Sequence, residues 1–586
     1  MCSIIGYLGK EVAAPIIVKG LKKMEYRGHD SVGIATESDN TIKMKKGLGR
    51  VTEVNSRLQF EVMPGNAGIG HTRWATHGKI TDANAHPHAS NSGRIAIVHN
   101  GVIENFDELK KELVDLGYYF KSDTDSEVIA NILQKNHQHY KDVKKAIIAT
   151  TAELKGHYSF IAMFEGGQMA AARFHKPLII GLGKESYFLA SDVLGFIEHT
   201  DDVIYMDNCN VAIVNKERLS IAGFDGGETN YKTTKVSKEF ADADKEDYAH
   251  FTLKEISEQP QTIINAGTGA ESDIAKAVAL IKRSNRTYIT GSGTSYNAAS
   301  IGRHLFSEYT NVKAEHIMAS ELPFISGMIE ADSTLIAISQ SGESADILEA
   351  VNIARGARCK IIAIVNNPNS SLVRESDVIV KMNCGPEIGV AATKSFTAQI
   401  IILYRLLQEI TNGKIKTDSK DIACLVRETL ENQSVIKKIA IDIKGISDIY
   451  VLGRGIHYPI ATEAALKLKE LTYIHAEGIP GGELKHGPLA LIDSNVFVII
   501  INPHDSTYTD TITSMMEIKA RGAKIVGISD VENDSYDYWV KIPKARELAH
   551  VISEIVPIQL LSYYAALEKD ADPDYPRNLV KSVTVK

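Results

Sequence analysis

Cysteine is scarce in this sequence. Five cysteines in 586 residues, an odd number with no Cys-x-x-Cys pair, leave no basis for a disulfide framework or a structural zinc site. Long apolar runs are missing as well. Stretches such as 496–501 fall far short of the ~20 residues that span a bilayer. No Lys/Arg-rich run stands out, and Asp plus Glu (73) exceeds Lys plus Arg (65), giving a formal net charge of −8. Nothing in that balance suggests a nucleic-acid-binding surface. The opening residues, Met-Cys-Ser-Ile-Ile-Gly-Tyr, have neither the basic region nor the apolar core of a signal peptide. Apolar residues at 44% and charged residues at 24% are the proportions of an ordinary globular protein. The expectation is a cytoplasmic protein with reduced thiols, no membrane segment and no nucleic-acid partner.

What is present has two textures. Residues 1–220 read as short strands punctuated by turn signals, among them 3–8, 33–36, 94–98, 159–164 and 211–214. A weakly periodic Gly/Asp/Lys-rich stretch follows, and 221–265 is expected to be a linker. Apolar strands then alternate with long helices, the pattern of parallel α/β sheets. This part is duplicated. Tyr288-Ile-Thr-Gly-Ser-Gly-Thr-Ser-Tyr296 parallels Tyr450-Val-Leu-Gly-Arg-Gly-Ile-His-Tyr458, and 333–339, 356–364 and 377–381 parallel 495–501, 522–528 and 537–541 in the same order. Two homologous doubly wound α/β lobes are expected at 266–420 and 421–570, with a Pro-interrupted, non-helical tail at 571–586.

Cys2 is the first candidate for chemistry. After removal of the initiator Met it is N-terminal, and its own α-amine, with a pKa of about 8, can serve as base for the thiol. An ordinary buried thiol is the plainer reading. Polar material in the same region argues against it: His71-Thr-Arg-Trp-Ala-Thr-His-Gly78, Ala85-His-Pro-His88, Val98-His-Asn-Gly-Val-Ile-Glu-Asn105 and Ser122-Asp-Thr-Asp-Ser-Glu127. An Asn side chain beside a Gly amide, as at Asn100-Gly101, suits the oxyanion of acyl transfer. Asn-Gly after a strand is also a favoured type I′ hairpin turn. An Arg and an Asp together can grip both ends of an α-amino acid.

The second candidate is Ile338-Ser-Gln-Ser-Gly-Glu-Ser-Ala-Asp346, between an expected strand and an expected helix. The hydroxyls of Ser339, Ser341 and Ser344, with free amides at a helix N-terminus, suit a phosphate. The Lys of a Walker motif is absent, which argues against a nucleoside triphosphate. A Ser-rich helix cap is the alternative. A second hydroxyl loop, Gly291-Ser-Gly-Thr-Ser295, ends another strand, and the pair fits a sugar phosphate better than a cap. The turn lacks the third Gly of a dinucleotide fingerprint. The second lobe carries Asn502-Pro-His-Asp in place of the Ser-rich loop, so one lobe is expected to bind phosphate while the other supplies catalytic groups.

The third candidate is that supply. After Tyr458, Glu463, Lys467 and Glu470 fall at i, i+4 and i+7, on a face apart from Ala461, Ala464, Ala465, Leu468 and Leu471. Such spacing is usually a solvated ion-pair stripe. Gly481-Gly-Glu-Leu-Lys-His-Gly-Pro488 adds His486. Moving a proton between neighbouring sugar carbons needs a carboxylate base and a group that opens the ring, and a lysine can condense with the ketone. Spacing alone leaves Lys467, Lys469, Lys485 and Lys581 open.

Cys2, Glu25-Tyr-Arg-Gly-His-Asp-Ser31, the 71–78 stretch, Asn100-Gly101 and Asp123-Thr-Asp125 resemble the class II glutamine amidotransferases. The resemblance implies an Ntn-hydrolase-type αββα domain. In it Cys2 is the nucleophile, Asn100 and Gly101 form the oxyanion hole, and Arg73 holds the substrate carboxylate with Thr76 and His77 nearby. Asp125 holds the ammonium, and Trp74 lies in a loop that gates ammonia.

Residues 286–586 resemble the paired sugar-isomerase (SIS) lobes of the glutamine–fructose-6-phosphate aminotransferase (isomerizing) family. The resemblance is carried by Ser339-Gln-Ser-Gly-Glu, Glu387-Ile-Gly-Val-Ala, Ala465-Leu-Lys-Leu-Lys-Glu470, Gly482-Glu-Leu-Lys-His-Gly-Pro-Leu-Ala490 and Pro576-Arg-Asn-Leu-Val-Lys-Ser-Val-Thr-Val585. It implies Lys581 as the Schiff-base lysine, Glu470 shuttling a proton between C1 and C2, His486 opening the ring and Lys467 assisting. Ser292, Gly293, Thr294, Ser295, Ser339, Gln340, Ser341 and Ser344 hold the phosphorylated sugar, and Val390 adds backbone contacts. Glutamine and fructose 6-phosphate are the implied substrates. No metal or organic cofactor is implied, and the implied assembly is a homodimer. Where bacterial members have Cys, Thr and Ser, this sequence has Ser292, Ser344 and Ala392, which bears on fine sugar contacts. A deglycase or deaminase built on the same lobes has no need of the Cys2 region. A sugar-phosphate-sensing module has no need to keep Glu470, His486 and Lys581 together.

Overall fold

Along the strand Ser3–Leu8, Ile4 and Leu8 join one buried cluster while Ile5 and Tyr7 join another. Successive side chains of a strand point to opposite faces, so this strand is covered on both sides. The structure, a computed structural model, describes residues 2–74, 77–236 and 244–583. The chain divides into two units, 1–242 and 243–584.

Among the described residues the first unit holds two antiparallel sheets of eight and six strands. Ser3–Leu8 sits inside the larger sheet, between Ser186–Ala190 and Ala67–Arg73. In the smaller, Ile95–Ile103 pairs with Gly156–Phe164. Ile4, Leu8 and Ile69 meet Val98, Ile161 and Ala171 between the sheets. Helix Ala13–Met24 covers the outer face of one sheet through Ile17, Leu21 and Met24, an i, i+4, i+7 stripe. Helices Ser126–Tyr140 and Val143–Glu153 cover the other. The result is the expected αββα sandwich.

The second unit holds two parallel five-stranded sheets of the same topology. In the first the order is Ala314–Met318, Thr287–Gly291, Thr334–Ser339, Lys360–Val365, Val378–Lys381. In the second it is His475–Pro480, Asp448–Gly453, Phe497–Ile501, Lys524–Ser529, Tyr538–Lys541. The four stretches matched in the sequence fall on equivalent strands. Helices Thr294–Tyr309, Lys394–Ile410, His457–Thr472 and Glu547–Glu568 contribute to one buried cluster that runs through both lobes.

The stretch expected as a linker, 221–265, is partly regular. Leu219–Gly223 completes the six-stranded sheet, while Phe251–Ser257 and Gln259–Gly267 are helices, the second packed on Lys394–Ile410. The Gly/Asp/Lys-rich composition of 223–247 outweighed the short apolar pattern of Phe251, Leu253 and Ile256. No described helix is long and apolar enough to cross a membrane.

Candidate active sites

The register of Ser3–Leu8 against Ala67–Arg73 pairs Ser3 with Thr72 and so places Cys2 beside the next residues of that strand. The N–H of Trp74 donates to Cys2 Sγ at 3.3 Å, and the thiol donates to the Trp74 carbonyl at 3.4 Å. Burial pushes the thiol pKa up, opposed by the Trp74 N–H and the Arg73 guanidinium. Arg73 is buried, and its guanidinium donates to the carbonyls of His77 and, at 3.2 Å, of Lys79. Burial lowers its pKa, while Cys2, Asp30 and Asp125 pull the other way. Asp125, also buried, accepts the N–H of Ile103 at 2.8 Å. The Trp74 ring lies edge-on to His29 at 6.0 Å, and the exposed His77 faces Phe106 at 5.1 Å. Thr76 lies outside the described residues.

Asn100 and Gly101 do not form a hairpin turn. They lie within the strand Ile95–Ile103, opposite Ser159 and Tyr158. Gly101 has φ +130°, and a Cβ there would sit 2.0 Å from the His157 carbonyl oxygen, so this position demands glycine. Asn100 is buried, and its Oδ1 has no partner among the described residues.

Beneath these residues lies a layer to which the sequence reading assigned no role. His71, His86, His88 and His99 are all buried. His71 and His86 rings are 3.9 Å apart, His71 Nε2 meets the His99 carbonyl at 3.0 Å, and His99 Nδ1 meets Ser126 Oγ at 2.8 Å. Burial pushes all four imidazoles below the ordinary histidine value. Strand alternation was the available signal, since it puts His71 on the buried face of Ile69, between the sheets, and His99 on the buried face of Ile97, under the helices.

In the first lobe, strand order reverses between Thr287–Gly291 and Thr334–Ser339, and ligands of open α/β sheets sit at the carboxyl ends of such a pair. A cavity of about 270 Å³ opens there. Ser292, Gly293, Thr294 and Ser295 line it from one loop, and Ser339, Gln340, Ser341 and Ser344 from the other. Val390, Ala392, Glu470 and Lys581 also line it. Ser339 and Ser341 accept N–H groups of their own loop, from Gly342 at 3.0 Å and Glu343 at 3.2 Å. Each keeps a hydroxyl hydrogen to donate. Ser344 occupies the N-cap of Ala345–Gly356 without making a side-chain cap bond. Its hydroxyl therefore does not serve the helix.

Glu463 and Lys467 are fully buried, which rejects the solvated stripe. Lys467 Nζ lies 2.6 Å from Glu470 and 3.3 Å from Glu463, and donates to Thr294 Oγ1 at 3.0 Å. Burial disfavours this ammonium, but the two carboxylates outweigh it and hold Lys467 above the ordinary lysine value. Lys467 lies behind Glu470 rather than in the cavity wall, and His486 sits exposed on the turn Glu483–His486, also outside that wall. Lys469 is exposed, and Lys485 pairs with Glu517 at 2.8 Å. Of the four candidate lysines, Lys581 alone borders the cavity.

Lys581 Nζ donates to Glu387 Oε2 at 2.6 Å and to the Gly389 carbonyl at 2.8 Å. Glu387 is buried and also accepts from the Thr393 and Ser395 amides and the Ser395 hydroxyl. Burial raises its pKa, but Lys581 and these donors prevail and hold it below the ordinary carboxylate value.

The glutamine amidotransferase domain model matches residues 71–197, and the SIS domain model matches 280–408 and 443–569. A glutamine–fructose-6-phosphate aminotransferase (isomerizing) of Pyrococcus horikoshii is 41% identical over the whole of both chains, and one of Aquifex aeolicus is 38% identical with the same coverage. This chain belongs to the glutamine–fructose-6-phosphate aminotransferase (isomerizing) family.

A solved structure agrees. The C-terminal domain of glucosamine-fructose-6-phosphate aminotransferase from Francisella tularensis is 35% identical with a TM-score of 0.53, covering 57% of this chain and all of that one. Within the family frame, two of the departures noted in the sequence, Ser292 and Ala392, stand in the cavity wall beside Ser344, the third.

Proposed function

We propose that this aminotransferase-family chain moves ammonia from glutamine to fructose 6-phosphate, giving glucosamine 6-phosphate and glutamate. The observation that carries the reading is the single cavity in which two hydroxyl loops, Glu470 and Lys581 converge.

In the first unit, removal of Met1 exposes the α-amine of Cys2, which takes the thiol proton as sulfur attacks the glutamine carboxamide. Asn100 and the Gly101 N–H steady the oxyanion. Arg73 takes the substrate carboxylate and Asp125 the ammonium, and the family resemblance adds Trp74, Thr76 and His77 to glutamine binding. Ammonia leaves, and water cleaves the thioester to glutamate.

In the second unit, Ser295, Ser339, Gln340, Ser341 and Ser344 hold the phosphate end, with the N-terminus of Ala345–Gly356 contributing its dipole. The loop Ser292-Gly-Thr294 and Val390 close the wall. Ring opening falls to His486 on the family resemblance alone, since in this chain it stands exposed and outside the cavity wall. Lys581 condenses with the C2 ketone and releases water. Ammonia then displaces Lys581 at C2, and Glu470, held by Lys467, carries a proton from C1 to C2 to leave an aldose with nitrogen at C2. The testing experiment is product analysis with glutamine and fructose 6-phosphate, each omitted in turn. Failure to form glucosamine 6-phosphate and glutamate when both substrates are present overturns the reading.

A further inference from the structure

The tail bearing Lys581 leaves helix Glu547–Glu568 and runs as irregular chain through residue 583. An irregular terminal segment keeps an amine at one point only if other groups tie it down. Asp574 is such a tie. Its side chain is 1% exposed. Oδ2 accepts the Phe251 N–H at 3.0 Å and faces the Lys245 ammonium at 3.0 Å. Oδ1 accepts the Thr252 N–H at 2.8 Å and the Thr252 hydroxyl at 3.0 Å. Its main-chain carbonyl accepts the N–H of Val390, in the cavity wall, at 3.0 Å.

These contacts close a ring. The helix Phe251–Ser257, whose first N–H groups Asp574 takes, carries Glu255 one turn later. Glu255 Oε1 accepts the N–H of Ile388 at 2.5 Å and of Gly389 at 3.2 Å. The Gly389 carbonyl accepts Lys581 Nζ, and the chain leads back from Lys581 to Asp574. The ring is tight: a Cβ at Gly389 would lie 2.8 Å from Thr252 Oγ1 and 3.0 Å from Glu255 Oε2.

We propose that Asp574 is a positioning residue for the Lys581 amine. It caps Phe251–Ser257 and pins the 388–390 segment, and so fixes the Glu387 carboxylate and Gly389 carbonyl between which Nζ sits. The proposal rests on the reading that Lys581 forms the imine. A carboxylate suits the place because every partner of its side chain is a donor and one is a cation. An Asn there keeps one acceptor oxygen and turns an NH2 toward donors.

The test uses full-length Asp574→Asn with fructose 6-phosphate and borohydride, the adduct being mapped by peptide analysis. Trapping at Lys581 and kcat for glucosamine 6-phosphate are both expected to fall at least about tenfold, with the fructose 6-phosphate KM changed by less than about threefold. The split follows because, among the described residues, the Asp574 side chain makes no hydrogen bond to the phosphate loop. Should Asp574→Asn fail to fold, Thr252→Val, which removes one hydroxyl donor to Asp574, is expected to show the same split at about three- to tenfold. Wild-type trapping rates in the folded variant overturn the proposal, as does a KM that rises in step with the loss of kcat. An absent Lys581 adduct in the wild-type chain overturns the underlying reading instead.

Discussion

Lys581 Nζ lies 2.6 Å from Glu387 Oε2, an acceptor 194 residues earlier in the chain. Lys467 has a different company, two carboxylates that strengthen its hold on its proton. An amine must shed its proton before it attacks a ketone. Of these two lysines, Lys467 is therefore the anchored cation, and Lys581 is the one that borders the sugar cavity.

Lys581→Arg is accordingly expected to lose glucosamine 6-phosphate synthesis by at least about a thousandfold, because a guanidinium with pKa above ~12 forms no imine. Glutamine hydrolysis should stay within about twofold. Borohydride with fructose 6-phosphate should label wild-type chain at Lys581 and leave the variant unlabelled. Label found on Lys467 or Lys485 in the variant contradicts the assignment.

Ser344 separates phosphate binding from helix capping. Its hydroxyl makes no cap bond, so Ser344→Ala should cost less than about 0.5 kcal/mol of stability. A hydrogen bond to an ionised group is worth about 1.5–3 kcal/mol, so fructose 6-phosphate affinity should drop about ten- to a hundredfold. Calorimetric titration beside a thermal melt reads both. Lost stability with unchanged affinity returns the loop to a capping role.

Much of this is legible in the sequence. The duplicated strands were visible because parallel strands buried on both faces repeat apolar runs of fixed length, and the hydroxyl loops were visible because they follow those runs directly. Other features were not. Glu387 stood in a recognised motif without a role, since its partner arrives from the far end of the chain and no local period reports such a pairing. Glu463 and Lys467 resembled a surface stripe because helical spacing says which side chains share a face, not what covers it. Asn100-Gly101 resembled a turn because dipeptide preference ignores the neighbouring strand that extends the ladder past it. The helices at 251–267 were hidden by the polar stretch before them.

Gly101→Ala tests the strand position directly. With φ at +130° and the His157 carbonyl in the way, an alanine must strain or shift the ladder. The expected cost is about 1–3 kcal/mol of stability in the first unit. Misplacing one oxyanion donor should lower glutamine hydrolysis at least about a hundredfold. Fructose 6-phosphate binding should be unchanged, because the sugar cavity is lined by residues of the second unit alone. Hydrolysis at the wild-type rate would remove Gly101 from the oxyanion hole.

The histidine layer makes the first unit sensitive to acid. Burial depresses His71, His86, His88 and His99; nearby Arg73, Lys46 and Lys176 depress some of them further, and Asp125 opposes this at His99. Neither ring nitrogen of His86 has a partner among the described residues, so a proton there finds no acceptor. The sign follows from proton counts. Below ~6.5 the unfolded chain binds protons that the folded chain refuses, so stability is full above that pH and declines as pH falls. Each histidine kept neutral adds a slope of up to about 1.4 kcal/mol per pH unit. The sequence has two tryptophans, Trp74 and Trp539, so Trp539→Phe leaves Trp74 as a fluorescent reporter of the first unit. Urea unfolding followed at Trp74 should show the midpoint dropping between pH 7.5 and 5.5, and His88→Gln should flatten the drop. A midpoint that holds steady over that range means the imidazoles already carry charge in the folded chain.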